Sequence, residues 1–335
     1  MAPAPSYAHL AALTDHRGIF EHADHATPRR HHGYCVDDVA RALILVVREP
    51  DQTPELHDLA EIYLTFLESA LQADGRFHNR MSESGAFADA PGVGDWWGRG
   101  VWAFGHAASN AHDGDHRDRA AVGFDCAASA RSPELRSMAF AGLGAAARLE
   151  GDGADARARA LLEDAVEAVR DSPDPAWPWP EPRLRYANGA LPDLLLGAGA
   201  ALSRPDLVDR GLRMLRFLLD LESAGGHLSV AGVGGRGPEE NHPVFDQQPI
   251  EVAALGEACF RAFEITGDPA WLVGVESAWG WFAGRNDAGV AMFDETVGSG
   301  YDGLEPDGRN ENRGAESTIA ALMTYQLARR AGVLE

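Results

Sequence analysis

Apolar residues recur at helical spacing through most of the chain, and the helical segments alternate between two kinds. The first kind is charged along one face, as expected of outer helices that expose one side to solvent. These segments span residues 55–73, 117–128, 155–170, 205–222 and 269–285. Alternation typical of strands is confined to short pieces after glycines, such as GRFHN and GHLSV. The pattern predicts a mainly α-helical protein.

The second kind of segment is rich in Ala, Gly and Leu, with polar residues only near its start. The six such segments are VDDVARALILVV, DWWGRGVWAFGHAA, SPELRSMAFAGLGAAA, NGALPDLLLGAGAAL, QQPIEVAALGEACF and GAESTIAALMTYQLA. Helices that are apolar nearly all round belong inside a protein. Six inner helices paired with outer ones, with residues 7–13 as the twelfth helix, predict an (α/α)6 toroid. We expect residues 1–335 to form this one barrel domain.

The connections between the two kinds of helix differ in length. Links from inner to outer helices are short and turn-like, whereas links from outer to inner helices are long and rich in aromatic, acidic and amide residues. Long loops on one face of a rigid scaffold commonly carry function. All six inner helices start on that face, so their partly positive N-termini should converge on one basin.

Polar side chains gather at these helix starts and in the loops before them. They are Asp37, Asp38, Asp95, Arg99, Glu181, Asn188, Asp246, Gln247, Gln248, Glu251 and Glu316. Aromatic residues are interleaved with them, namely Trp96, Trp97, Trp177, Trp179, Tyr186 and Phe245. A sugar ring requires flat apolar faces beside hydrogen-bonding groups. The combination favours an oligosaccharide or glycoconjugate as substrate.

Paired carboxylates across a pocket are the apparatus of glycoside hydrolysis. Glu181 lies among tryptophans and prolines, which would raise its pKa and suit a general acid, although an ion pair with Arg183 or Arg185 explains it equally well. Asp38 lies at the positive end of a helix, so it should stay ionised and suit a general base. Asp37 is expected to cap that helix or to hold a sugar hydroxyl.

The other polar and aromatic candidates are predicted to bind substrate. The predicted substrate-binding residues are Asp37, Asp95, Trp97, Arg99, Trp179, Tyr186, Asn188, His242, Asp246, Gln247, Gln248 and Glu316. Trp96 and Trp97 are adjacent and must point in different directions on a helix, so at least one of them is expected in the core.

Composition narrows the function further. The net charge of −22 argues against binding to nucleic acid or to anionic membrane surfaces. The chain contains no lysine, which excludes Schiff-base lysine chemistry. Three widely spaced cysteines argue against a disulfide framework and favour a reducing cytoplasm. The start of the chain lacks the pattern of a secretion signal, and no stretch is long and apolar enough to span a membrane.

Four histidines, His22, His25, His31 and His32, lie close together in the sequence. They lack partners at the spacing of a known metal motif, so we expect no metal and no other cofactor. The oligomeric state is left open by the sequence.

The chain resembles a bacterial family of (α/α)6-toroid proteins that occur alone or joined to glycosyltransferase domains and are often labelled as glycosyltransferases. The resemblance rests on HRGIFEHADHATP, GYCVDDVARALI, GDWWGRGVWAFG, WPEPRLRYANGALP, FDQQPIEVAAL and NENRGAEST, and so covers nearly the whole chain. One departure is Val39, where an asparagine is expected after the two aspartates. Membership in this family does not specify a reaction.

The wider (α/α)6 class includes glycoside hydrolases, many of them inverting, together with polysaccharide lyases and sugar epimerases. Three functions therefore compete. A glycoside hydrolase needs the carboxylate pair. A sugar epimerase of the N-acylglucosamine 2-epimerase type would need two histidines across the pocket, taken from His22 to His32 and His242. A non-catalytic glycan-binding or glycosyltransferase-associated module needs neither.

Overall fold

The computed structural model describes residues 3–240 and 243–334, and this part of the chain is mainly helical. Its α-helices are α1 (Ala8–Ala12), α2 (Val36–Arg48), α3 (Pro54–Ala70), α4 (Asp95–Asn110), α5 (Gly114–Ala127), α6 (Leu135–Gly151), α7 (Ala156–Ala168), α8 (Ala190–Ala201), α9 (Pro205–Leu221), α10 (Pro249–Thr266), α11 (Leu272–Phe282) and α12 (Ala315–Ala331). The predicted inner segments are α2, α4, α6, α8, α10 and α12. The predicted outer segments are α1, α3, α5, α7, α9 and α11.

The six inner helices form a closed ring. Each packs against the next inner helix along the chain, from α2 through α4, α6, α8 and α10 to α12, and α12 packs back against α2. The outer helices lie against this ring, which confirms the predicted (α/α)6 toroid. None of the described helices combines the length and the apolar character needed to cross a membrane.

Small residues allow the inner helices to approach closely. A Cβ atom added at Gly98 of α4 would lie 2.2 Å from the carbonyl oxygen of Ser137 in α6. One added at Gly105 would lie 2.2 Å from the carbonyl oxygen of Gly144. Both distances are far below van der Waals contact, so side chains at these positions would push the helices apart. The Ala and Gly content of the inner helices thus has a packing cause.

Several outer helices begin with side chains that bind free backbone N–H groups. Thr53 accepts from the N–H of Leu56 and precedes Pro54, the first residue of α3. Asp113 and Asp155 accept from N–H groups in the first turns of α5 and α7. These residues fix where the outer helices start after the short links.

The long connections that lead into inner helices contain five two-stranded antiparallel sheets. The pairs are β1 (Ala23–Asp24) with β2 (Thr27–Pro28), β3 (Tyr34–Cys35) with β4 (Arg80–Met81), β5 (Ser223–Ala224) with β6 (His227–Leu228), β7 (Phe293–Asp294) with β8 (Ser299–Gly300), and β9 (Gly303–Glu305) with β10 (Gly308–Asn310). Cys35 is the partner of Arg80 in the second pair. That register places Arg80 beside the start of α2.

Ring closure at the opposite end depends on a buried ion pair. Arg329 of α12 donates to Glu49 Oε1 at 2.6 Å, directly after α2. The Tyr7 hydroxyl and the Gln326 amide donate to the other oxygen of Glu49 at 2.7 and 3.2 Å. The side chains of Glu49 and Arg329 are 0% and 2% exposed. One carboxylate therefore joins the first and last inner helices to the segment beside α1.

We predict that Arg329→Ala lowers the free energy of unfolding by about 3–5 kcal/mol, because it leaves the buried charge of Glu49 without its cation. Arg330→Ala is the matched control. The neighbouring Arg330 makes an exposed ion pair with Glu264, so its loss should cost about 1 kcal/mol or less. Urea denaturation followed by circular dichroism measures both. Equal losses in the two variants would contradict the role of the buried pair.

Candidate active site

The N-terminal ends of the inner helices surround two adjoining cavities of about 290 and 300 Å³. Both are lined by Asp37, Arg41, Gln248 and Glu316. The first, which we call the Asp38 cavity, is also lined by Glu21, His22, Cys35, Asp38, Arg80, Asp302, Gly314 and Ser317. The second, which we call the Tyr186 cavity, is also lined by Asp95, Arg99, Arg185, Tyr186, Ala231, Gly232, Val233, Ile250 and Glu251. The predicted basin therefore exists at this end of the ring.

Asp38 lies buried in the first turn of α2. Its Oδ1 accepts from Arg41 Nη2 at 2.7 Å, and its Oδ2 lies 3.1 Å from Cys35 Sγ. Burial raises the pKa of Asp38 to about 7, and the negative charges of Glu316 and Glu21 add to the effect. The expectation of a fully ionised Asp38 is therefore wrong, because desolvation outweighs the helix terminus and Arg41. Near neutral pH the group exchanges a proton.

Arg41 opposes the rise in the pKa of Asp38, but it is shared with a second carboxylate. Its other terminal nitrogen, Nη1, donates to Glu316 Oε2 at 2.8 Å. Although burial opposes ionisation of Glu316, Arg41 holds the pKa of that carboxyl below its usual value. One guanidinium thus binds two carboxylates, and its single positive charge can balance the negative charge of only one of them.

Asp37 points away from Asp38, toward Arg99. Its Oδ1 lies 3.5 Å from Arg99 Nε, and the guanidinium of Arg99 stacks on Phe140 at 3.9 Å. Cys35 is the residue before α2, and no side chain caps this helix. The helix-cap role considered for Asp37 is therefore wrong, whereas its position on both cavities keeps it a candidate for binding a hydroxyl.

Glu21 is a carboxylate of the site that sequence reasoning missed. One of its oxygens, Cys35 Sγ and an oxygen of Asp38 all lie within 4.8 Å of one another. Both oxygens of Glu21 accept from Arg80, one of them at 2.9 Å. Glu21 precedes the first inner helix by many residues, so its place beside Asp38 depends on the path of the loop. Its only sequence signal is its position inside the motif HRGIFEHADHATP.

Glu21, Cys35 and Asp38 also form the one group in residues 3–240 and 243–334 with ligand atoms close enough for a metal ion. The residues do not fit a divalent cation. Arg80 and Arg41 already bind the two carboxylates, and burial raises the pKa of the Cys35 thiol well above its ordinary value, which opposes the thiolate. The four clustered histidines are exposed. That the protein works without metal stays a prediction.

Tyr186 offers an aromatic face in the second cavity. Its ring is 45% exposed, and its hydroxyl donates to Asp95 Oδ2 at 2.6 Å. Ser137 donates to the other oxygen of Asp95 at 2.7 Å. The guanidinium of Arg136 lies 4.9 Å from the centre of the ring. The hydroxyl and the ring are therefore each held by a neighbour, while the half-exposed side chain lines the cavity.

A buried network supports the loop that carries Tyr186. Glu251 accepts from the N–H of Ala187 and from the amide Nδ2 of Asn188, the latter at 2.9 Å. Asn188 Oδ1 in turn accepts from Arg136 Nη2 at 2.9 Å. Burial raises the pKa of Glu251 to about 7. Asn188 is completely buried, lines neither cavity and holds this loop, and its predicted contact with substrate stays a prediction.

Glu181 does not occupy the apolar setting that its sequence context suggested. Its Oε2 accepts from Arg136 Nη1 at 2.6 Å, and its Oε1 lies 3.4 Å from Arg185 Nε. It lines neither cavity. Two guanidinium groups pair with this carboxylate, so the alternative of an ion pair, including Arg185, is confirmed. The acid role of Glu181 stays a prediction.

Three further residues predicted to contact substrate are buried and line neither cavity, so these contacts stay predictions. Trp97 is 0% exposed, and its indole donates to the carbonyl of Ala127 at 3.1 Å. Trp179 is 1% exposed and packs against Phe217. Gln247 is 0% exposed and is held by Trp281 and Asp287. All three belong to the framework beneath the loops.

The remaining candidates lie in different places. Asp95, Arg99, Gln248 and Glu316 line the cavities as predicted. Asp246 lines neither cavity, although burial raises its pKa to about 6. His242 lies outside the described residues.

Comparison with known proteins gives solved structures only. No family model matches the chain, and no curated protein matches it. A sugar epimerase from a ruminal bacterium has a TM-score of 0.72 at 13% identity, with 96% of this chain and 95% of that chain covered. The cellobiose 2-epimerase of Bacillus thermoamylovorans B4167 has a TM-score of 0.72 at 11% identity, with 96% of both chains covered.

A third similar structure is an inactive variant of an α-1,6-mannanase from Salegentibacter sp. HEL1_6 in complex with α-1,6-mannotriose. It has a TM-score of 0.63 at 9% identity, with 98% of this chain and 96% of that chain covered. Two consecutive aspartates are replaced by asparagine in that variant. At these identities the likenesses establish the toroid fold of this chain.

We predict that Glu222→Gln makes the protein more stable at alkaline pH. Burial, with the nearby charge of Glu251, raises the pKa of Glu222 to about 8, and its Oε1 accepts from the N–H of Ala231 at 2.7 Å. The pKa of Glu222 in the folded protein exceeds that of a glutamate in the unfolded chain. The contribution of Glu222 to the stability of wild type is therefore fully present below about pH 4 and is lost as the pH rises to 8. The variant cannot ionise there.

Urea denaturation of both proteins at pH 5 and pH 9 measures this effect. The stability of the variant relative to wild type should increase by on the order of 3 kcal/mol between the two pH values. Glu163→Gln, at an exposed position of α7, is the control and should show no such trend. If the free energies of unfolding of Glu222→Gln and wild type differ by the same amount at both pH values, the raised pKa of Glu222 is contradicted.

Proposed function

We propose that this protein is a glycoside hydrolase in which Asp38 protonates the leaving oxygen. The observation that carries the proposal is a buried carboxyl with a pKa of about 7 that lines a cavity with other carboxylates. A general acid needs a pKa near the working pH, so that it holds a proton and can still release it. The environment of Asp38 favours the protonated form, which suits a general acid and not the base predicted from the sequence.

The two cavities supply the groups that a sugar requires. Tyr186 gives a flat face for one ring, and Asp95 fixes its orientation. Asp37, Gln248 and Arg99 line the adjoining wall with hydrogen-bonding groups. Stacking on an aromatic face together with several polar contacts is the usual way that proteins bind carbohydrate. An oligosaccharide or glycoconjugate is the proposed substrate class.

The fold comparisons support the substrate class. The two epimerases act on sugars by their names, and the mannanase variant binds a mannotriose. That variant is inactive when two consecutive aspartates are replaced, and this chain also carries consecutive aspartates, Asp37 and Asp38, in the cavity wall. The likeness favours testing these aspartates first.

Sugar epimerisation is the alternative favoured by the epimerase likeness. It would need a proton-transferring group on each face of the sugar. Among the described residues, His22 lines the Asp38 cavity, and the Tyr186 cavity has no histidine in its wall. Incubation of the protein with a panel of oligosaccharides and monosaccharides separates the functions, since released sugar, isomerised sugar and binding without turnover are distinct results.

We predict that Asp38→Asn lowers kcat for a hydrolysed glycoside by about 10²–10⁴-fold, because the amide cannot donate the proton. Substrates with good leaving groups should lose less. Wild-type activity should fall as the pH rises above about 7, since deprotonation of Asp38 removes the acid, and this limb should disappear in the variant.

The matched control for Asp38→Asn is Asp58→Asn, at an exposed position of α3. It should leave turnover unchanged. Thermal unfolding of each variant verifies that the fold is intact. Full turnover in Asp38→Asn, on a substrate that wild type hydrolyses, would rule out the proposed acid.

We predict that Glu181→Gln costs about 1–3 kcal/mol of stability while changing kcat less than about tenfold. The substitution removes one charge from the pairs with Arg136 and Arg185, and these pairs support the loop beneath Tyr186. Steady-state kinetics and urea denaturation measure the two effects. A loss of kcat by orders of magnitude, reduced for good leaving groups, would instead restore the acid role predicted from the sequence.

A further inference from the structure

We propose that Glu21 is the second catalytic carboxylate, the nucleophile that attacks the anomeric carbon while Asp38 protonates the leaving oxygen, so that hydrolysis retains the anomeric configuration. This inference rests on the proposed glycoside hydrolysis and adds a residue and a stereochemical outcome to it. It replaces the inverting mechanism expected from the wider fold class.

The separation of the two carboxylates carries the inference. An oxygen of Glu21 lies within 4.8 Å of an oxygen of Asp38. Retaining glycosidases hold their two carboxyl groups about 5–5.5 Å apart, so that one can attack the carbon whose oxygen the other protonates. Inverting enzymes need roughly 6.5–9.5 Å, because a water molecule must fit between the sugar and the base. An approach of the two oxygens to within 4.8 Å favours the shorter separation.

The surroundings of the two groups give them different roles. Arg80 donates to both oxygens of Glu21, which fixes the plane of its carboxylate. Asp38 shares its cation, Arg41, with Glu316 and is nine-tenths or more buried, so it retains a proton more readily. A carboxylate held by an arginine beside a carboxyl that holds a proton is the arrangement that a retaining mechanism requires.

The backbone of Glu21 is fixed from two sides. Its N–H donates to the carbonyl of Gly33 at 3.2 Å, and its carbonyl accepts from the N–H of Ala315 at 3.1 Å. Ala315 is the first residue of α12, and Gly33 directly precedes β3. The loop is therefore clamped between the first and last inner helices. A nucleophile needs such positioning, because small displacements of reacting atoms cost large factors in rate.

Each carboxylate of the Asp38 cavity has polar partners, and closeness to Asp38 distinguishes Glu21 from the others. Asp37 is directed to Arg99, and consecutive residues of a helix point about 100° apart. Glu316 is bound to the buried Arg41. Asp302 accepts from the N–H of Gly314 and from the hydroxyl of Ser317, at 2.6 and 2.5 Å. Glu21 is the carboxylate whose closeness to Asp38 the geometry establishes.

The proposed reaction has two balanced steps. In the first, an oxygen of Glu21 forms a bond to the anomeric carbon, the bond from that carbon to the leaving oxygen breaks, and the leaving oxygen takes its electron pair together with the proton of Asp38. In the second, water attacks the anomeric carbon and gives a proton to Asp38, while the bond to Glu21 breaks. The products are an alcohol and a free sugar, and both side chains return to their starting states.

The decisive experiment labels the wild-type protein with 2-deoxy-2-fluoro and 5-fluoro glycosyl fluorides of a sugar that it releases. We expect the intact mass to increase by one glycosyl group and the peptide containing residue 21 to carry it. Proton NMR of the first-formed product should show the anomer of the substrate. Labelling of Asp37 or Glu316, or an inverted first product, would overturn the assignment.

Variants provide a second readout. Glu21→Gln should lower kcat on the order of 10³-fold or more, and azide should restore turnover of an activated glycoside by Glu21→Ala, yielding a glycosyl azide of inverted configuration. Glu55→Gln, at an exposed position of α3, is the control and should match wild type. Thermal unfolding verifies the fold, and the labelling of wild type decides the matter if a variant is unstable.

The results distinguish failure of Glu21 as nucleophile from failure of the proposed hydrolase function. Hydrolysis that is lost in Asp38→Asn but fully kept in Glu21→Gln would refute Glu21 as nucleophile and leave the hydrolase proposal intact. A wild-type protein that isomerises sugars, or that binds glycans and hydrolyses none of the panel, would refute both.

Discussion

Arg41 makes the contact on which both the site and the ring depend. It lies in the second turn of the first inner helix, and its two terminal nitrogens bind Asp38 of the same helix and Glu316 of the last inner helix. The ring closes where those helices meet, so a single cation links closure of the toroid to the chemistry at its mouth. Burial raises the pKa of Asp38 although Arg41 opposes this, and the negative charge of Glu316 adds to the rise.

Helices α2 and α12 meet where the ring closes, and buried charges have different roles at the two ends of this contact. At the far end, Glu49 receives hydrogen bonds from Arg329, Tyr7 and Gln326, and the pKa of Glu49 is lowered although burial opposes this. That carboxylate is saturated with donors and is suited to hold helices together. At the mouth, Asp38 has fewer donors and more negative neighbours, so its proton is exchangeable. The same residue types thus stabilise the structure at one end and form the candidate reaction centre at the other.

The fold could be predicted in detail because its causes are local in sequence. The alternation of apolar and one-sided helices, together with short and long links, yielded the inner and outer sets and the face that carries the cavities. Helix ends differ from the predicted ones by only a few residues, since caps such as Thr53 and Asp113 and the proline at the start of α3 are visible in the sequence. Asp95, Arg99, Gln248 and Glu316 reach the cavities for the same reason: they begin inner helices.

The sequence alone determined that this chain forms a ring of helices with polar groups at one end, because helical periodicity and capping depend on neighbouring residues. Only the tertiary structure decided which of those groups face the cavities. Trp97 and Trp179 have the residue type of a sugar platform but are enclosed by neighbours distant in the chain, whereas Tyr186 is left open. Glu21 reaches Asp38 through a loop clamped by Gly33 and Ala315, and the charge state of Asp38 follows from burial and from Glu316, far away in sequence. Burial and ion pairing are properties of the assembled ring, and no local pattern encodes them.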